Sequence, residues 1–156
     1  MIKIDLHKDR GLAGEILDAK KAKHLAELCI RELDSDKLRS TVEIFLVTKK
    51  TIFSINHDFR QVSRETDVLS FPQNFLPNAK EQVLGTIFIS PEVANESRES
   101  CEELLIHGML HLLGFDHEKN LKKWQAAEDK IMKIAPTIPQ SGMSESRPKR
   151  REKEDQ

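Results

Sequence analysis

The run His107-Gly108-Met109-Leu110-His111-Leu112-Leu113-Gly114-Phe115-Asp116-His117 gathers three of the chain's six histidines within eleven residues. Its apolar spacing predicts a helix. His107 and His111 would lie four apart on one face, with side chains roughly 5–6 Å from each other. That separation lets both imidazoles reach one metal ion at about 2.0–2.1 Å per bond. An unbroken helix would carry His117 away from this face. Gly114 can instead adopt the left-handed conformation, end the helix and let the chain bring His117 back. Three neutral nitrogen donors and one open position make the geometry of a catalytic zinc site. A metal-free cluster of three titratable rings would repel itself below neutral pH.

The same histidine spacing occurs in zinc proteases of the H-E-x-x-H-x-x-G-x-x-H type, where the Glu serves as general base. Here that position is Gly108, which has no side chain. Glu103 or Asp116 would have to substitute. Glu103 already has a local role, since with Ser100 it forms a capping-box pattern ahead of the apolar run. Asp116 can orient a ligand ring as an acceptor, or simply shape the turn.

The rest of the chain supplies a scaffold. Alternation over residues 1–6, Thr41 to Val47, Thr66 to Phe71 and Val83 to Ile89 predicts four strands. Pro72 should stop the third, because proline cannot donate to a ladder. Helical spacing marks Gly14 to Leu33, a short segment through Ile52, Ile55 and Phe59 to Arg60, Pro91 to Arg98, Cys101 to Leu113, and Leu121 to Ile134. Lys49 and Lys50 read as a solvated turn, and 73–82 as a loop. Four strands and four or five helices, not strictly alternating, indicate an α/β (α+β) single domain. Its sheet should be mixed, and its metal site should sit on a helix of the C-terminal half.

The 156 residues suit one domain. Residues 1–140 should form it, whereas 141–156 carry one apolar side chain, Met143, and are expected to be disordered. With 25 Lys+Arg against 26 Asp+Glu, the net charge of −1 argues against a broad basic nucleic-acid surface, though not against a small basic cleft. No apolar run reaches the ~18–20 residues of a membrane span. The N-terminus has no secretory pattern, so a cytoplasmic protein is expected. Cys29 and Cys101 read as buried free thiols. His7, His24 and His57 read as surface residues, and Trp124 and Phe115 as core or rim packing.

The segment from His107 to His117 resembles the H-G-x-x-H-x-x-G-[YF]-D-H signature of the YbeY family, bacterial metal-dependent endoribonucleases linked to ribosomal RNA maturation. Asn56-His57-Asp58-Phe59-Arg60 and Thr66-Asp67-Val68-Leu69-Ser70-Phe71-Pro72 resemble that family's N-x-x-[YF]-R and T-D-V-L-S-F-P. Leu84-Gly85-Thr86-Ile87 stands where the family usually has Leu-Gly-Asp-Ile. The resemblance spans about residues 42–132. It implies a zinc ion on His107, His111 and His117, with nickel or another first-row metal as alternatives, and Arg60 in the catalytic cleft. A planar, always-protonated guanidinium suits charge building on phosphoryl oxygens. From position alone, Arg60 reads first as a helix C-terminal cation, and the resemblance reverses that order. Asp67 and Ser70 either contact substrate or begin and end a strand.

The implied substrate is single-stranded ribosomal RNA, and the ribosome or its proteins are implied partners. Thr86 removes a carboxylate from a strand expected to border the cleft, and residues 91–103 read as a shortened cleft wall. The run Arg147-Pro148-Lys149-Arg150-Arg151 is a further RNA-touching candidate. Two rival readings are a metalloprotease-type zinc hydrolase and a ribosome-assembly factor with a structural zinc.

Overall fold

A computed structural model describes residues 2–12, 17–60, 66–73 and 82–135. The chain runs β1 (Lys3–Lys8), α1 (Ala19–Leu33), a 3-10 turn (Ser35–Lys37), β2 (Ser40–Leu46), α2 (Lys49–Arg60), β3 (Val68–Pro72), β4 (Gln82–Ile89), α3 (Pro91–Glu96), α4 (Cys101–Leu112) and α5 (Leu121–Ile134). The strands form one mixed sheet in the order β1-β2-β4-β3. β1, β2 and β4 are parallel, and β3 joins β4 antiparallel.

The predicted elements are present, with shifted edges. α1 begins at Ala19 rather than Gly14, because the Asp18 carboxylate accepts the Lys21 N–H and caps the helix there. Residues 13–16 lie outside the described residues, as do most of the expected 73–82 loop and the 136–156 tail with its basic run. Pro72 closes β3 as its last residue, opposite Gly85. Lys49 and Lys50 open α2 instead of forming a turn. The Lys49 ammonium reaches Glu96 at 2.8 Å, and its backbone N–H donates to Glu92 at 2.7 Å.

Alternation along the strands sorts side chains onto two faces. Val42, Ile44, Leu46, Ile87 and Ile89 pack with α1, α4 and α5 into the main core. On the opposite face, Phe45, Phe71 and Phe88 join Ile52, Leu69 and Val93 in a smaller cluster beneath α2. There a row of rings crosses the sheet: His7 stacks on Phe45 at 4.7 Å, Phe45 on Phe88 at 5.0 Å, and Phe88 meets Phe71 edge-on at 5.8 Å.

α4 is apolar nearly all round, as a helix buried on every side should be. Ten of its twelve residues are buried, including Leu104, Leu105, Ile106 and Met109. Its start is held by the predicted capping box: the Ser100 hydroxyl accepts the Glu103 N–H, and the Glu103 carboxylate accepts the Ser100 N–H. Both cysteines are buried free thiols.

Candidate metal centre

Two turn motifs place the third histidine. Gly114 takes φ +94°, a conformation costly for any side chain with a Cβ. The Phe115 N–H donates to the Leu110 carbonyl and the Gly114 N–H to the His111 carbonyl, both at 3.0 Å. This is the Schellman pattern, and it turns the chain back over the end of α4. The Asp116 carboxylate then accepts the backbone N–H of Glu118 at 2.8 Å and of Lys119 at 3.4 Å, folding the turn that carries His117. These donors, Glu118 foremost, hold the Asp116 carboxyl below its ordinary value. Asp116 therefore shapes the loop and adds negative charge close to the cluster. Asn120 ends the turn by accepting the Lys123 N–H and capping α5.

The outcome is a compact triad. Ring centroids of His107 and His111 lie 4.9 Å apart, His107 and His117 5.6 Å, and His111 and His117 5.3 Å. One nitrogen from each lies within 4.8 Å of the others, a group that can hold a metal ion. The donor set fits one: three imidazoles are ligands for zinc, nickel, copper or iron, and two come from consecutive turns of a rigid, buried helix. His107 is buried and His111 half-buried.

Trp124 completes the centre. Its ring lies 4.9 Å from His107, 4.8 Å from His111 and 5.0 Å from His117. At 4% exposed it does pack into the core as expected. Its contact with all three histidines is not legible in the sequence, because it depends on how α5 docks on α4. The one available signal is that it is the chain's single tryptophan, seven residues beyond His117.

Beside His111 opens a cleft of about 300 Å³, lined by Ser70, Pro72, His111, Gly114, Phe115, Asp116 and Lys119. Ser70 therefore reaches the site, buried on the edge strand β3. Asp67 does not line the cleft: it is fully buried just ahead of β3, where its carbonyl accepts the Ser90 N–H. Arg60 is the last residue of α2, and its side chain lies outside the described residues. Thr86 is not among the residues that line this cleft. Its neighbour Ile87 faces α4 at Gly108, so Thr86 points to the other face, where its hydroxyl donates to Glu43 at 3.0 Å. His7, His24 and His57 are exposed as predicted.

A sequence model of the family Endoribonuclease YbeY matches residues 8–135. The chain belongs to the YbeY family. It is 36% identical over 118 residues to Endoribonuclease YbeY of Helicobacter pylori strain J99, covering 69% of this chain and 82% of that one. It is 34% identical over 126 residues to the Persephonella marina protein of that name, covering 75% and 81%. The YbeY of Nitratiruptor sp. is 35% identical over 108 residues, covering 64% and 72%. Among solved structures, the solution structure of TM1509 from Thermotoga maritima aligns with a TM-score of 0.53 at 28% identity, over 94% of this chain and 98% of that one. Membership of the YbeY family supports a nuclease acting on RNA. Among the described residues no helix is long and apolar enough to cross a membrane.

Proposed function

We propose that this chain is a metal-dependent, single-strand-directed endoribonuclease acting in the cytoplasm on ribosomal RNA, in its maturation and in ribosome quality control. The observation that carries this reading is the triad of imidazole nitrogens within 4.8 Å of one another, at the edge of an open cleft, in a chain of the YbeY family. His107, His111 and His117 would hold the ion, zinc or another first-row metal. Such an ion supplies Lewis acidity toward a phosphoryl oxygen and activates water near neutral pH.

The chain's own residues account for the rest. α4 fixes two ligands in a packed core, and the Gly114 and Asp116 turns aim the third. Trp124 walls the triad on one side, which excludes water there and leaves substrate to approach through the cleft. Arg60, at the end of α2, is proposed to stabilise the charge that builds on the phosphoryl oxygens, a role suited to a fixed fork of N–H donors. Ser70 is placed to donate to substrate from the cleft wall.

A protease-type mechanism is disfavoured at one position. A Cβ on Gly108 would meet the side chain of Ile87 at 2.9 Å. There is no room for a glutamate base beside the first histidine.

Cleavage of a defined single-stranded RNA before and after chelation tests the proposal, with circular dichroism recorded alongside. Loss of cleavage with a retained fold is expected, and restoration on adding zinc. Unfolding on chelation would instead indicate a structural metal, and undiminished cleavage would remove the metal from the reaction. A 2′,3′-cyclic phosphate product would assign the attack to the ribose 2′-OH rather than to water.

A further inference from the structure

The net charge of −1 leaves little general attraction for RNA, so a nuclease of this composition needs local cations where the backbone must lie. The rim of the histidine cleft carries them. Lys119 lines the cleft itself, two residues beyond His117. Lys123 projects from the first turn of α5, with its ammonium 5.5 Å from the centre of the Phe115 ring, and Phe115 also lines the cleft. Both lysines are exposed, and neither forms an ion pair among the described residues.

Their placement is unfavourable for folding alone. The first turn of α5 has no acidic residue and holds Lys122 and Lys123, cations set against the positive end of the helix dipole. The neighbouring Asp116 offsets Lys119 in part, since the lysine's charge helps to hold that carboxyl low. The Asp116 carboxylate is committed to the backbone N–H groups of Glu118 and Lys119, and Glu118 forms no ion pair among the described residues.

We propose that Lys119 and Lys123 form a phosphate-holding shelf, gripping the RNA backbone at a phosphate neighbouring the one presented to the three histidines. Phe115, which lines the cleft, holds the Lys123 ammonium beside it, and the Asp116 turn fixes the backbone of Lys119. The shelf positions substrate and takes no part in bond breaking. It rests on the endoribonuclease reading above.

The test compares wild type with Lys119→Gln/Lys123→Gln and with a control of equal charge loss, Lys3→Gln/Lys8→Gln, on β1 at the opposite edge of the sheet. Each metal-loaded protein is assayed on a short single-stranded RNA across a range of salt concentrations. The shelf variant should raise KM about tenfold with kcat within twofold. Its slope of log affinity against log salt should flatten by about 1.4, at ~0.7 per phosphate contact. The control should move neither. An unchanged KM and slope in the shelf variant would overturn the shelf while leaving the nuclease reading intact, and so would equal shifts in the control. A wild type that cleaves no RNA would overturn both.

Discussion

Gly108 and Ile87 are in contact so close that a methyl group on Gly108 would lie 2.9 Å from two Ile87 side-chain carbons. Glycine inside a helix ordinarily costs about 0.5–1 kcal/mol relative to alanine. Here it lets α4 settle onto β4 and sets the depth at which His107 and His111 emerge. Gly108→Ala should therefore destabilise by about 1–3 kcal/mol through overpacking. Thermal unfolding checks this, and Ile87→Val in the same chain should recover part of the loss. An alanine variant as stable as wild type would refute the contact.

Trp124 gives the centre a built-in reporter, since it is the sole tryptophan and its ring centre lies within 5.0 Å of those of His107, His111 and His117. Titration with nickel should quench its fluorescence with a saturating curve, and the quenching should vanish in His111→Ala. Trp124→Ala should cost about 3–5 kcal/mol, as for other buried large-to-small changes, and weaken metal binding. Trp124→Phe should retain most of both.

Ser100 anchors the helix that carries two of the ligands. Ser100→Ala removes the acceptor for the Glu103 N–H and should cost about 1 kcal/mol. The loss should appear in chemical denaturation, and Ser100→Asp should restore most of it.

Cys29 is fully buried, and burial pushes its thiol up to about 12. An unfolded cysteine ionises near ~8.5. Between these values the unfolded chain releases a proton that the folded chain keeps, so stability is full below the lower value and falls as pH rises toward the upper one. Cys29→Ala should flatten that alkaline decline in melting temperature. In native protein at pH 8, Cys29 should resist a thiol-specific disulfide reagent, and it should react on unfolding.

Local signals in the sequence carry much of the outcome. Ser100 with Glu103, Gly114 before Asp116, and the four-residue step from His107 to His111 act within one or two turns, and each is present in the fold. What stays hidden depends on distant contacts. The sheet order sets Ile87 against Gly108 and so turns Thr86 to the other face, and no pattern around Thr86 encodes that. Trp124 meets the histidines only because α5 folds back across α4. The start of α1 falls later than its pattern suggests, because Gly14 to Leu17 continues a helical rhythm that the Asp18 cap cuts off. Asp67 sits near Ser70 in one motif, yet only Ser70 reaches the cleft.

The central claim is that His107, His111 and His117 together hold one functional metal ion. Elemental analysis of gently purified protein, paired with His111→Ala, tests it most directly. About one first-row metal per chain is predicted for wild type, falling to a small fraction in the folded variant together with RNA cleavage. Full metal content in the variant, or full RNA cleavage by metal-free wild type, would contradict it.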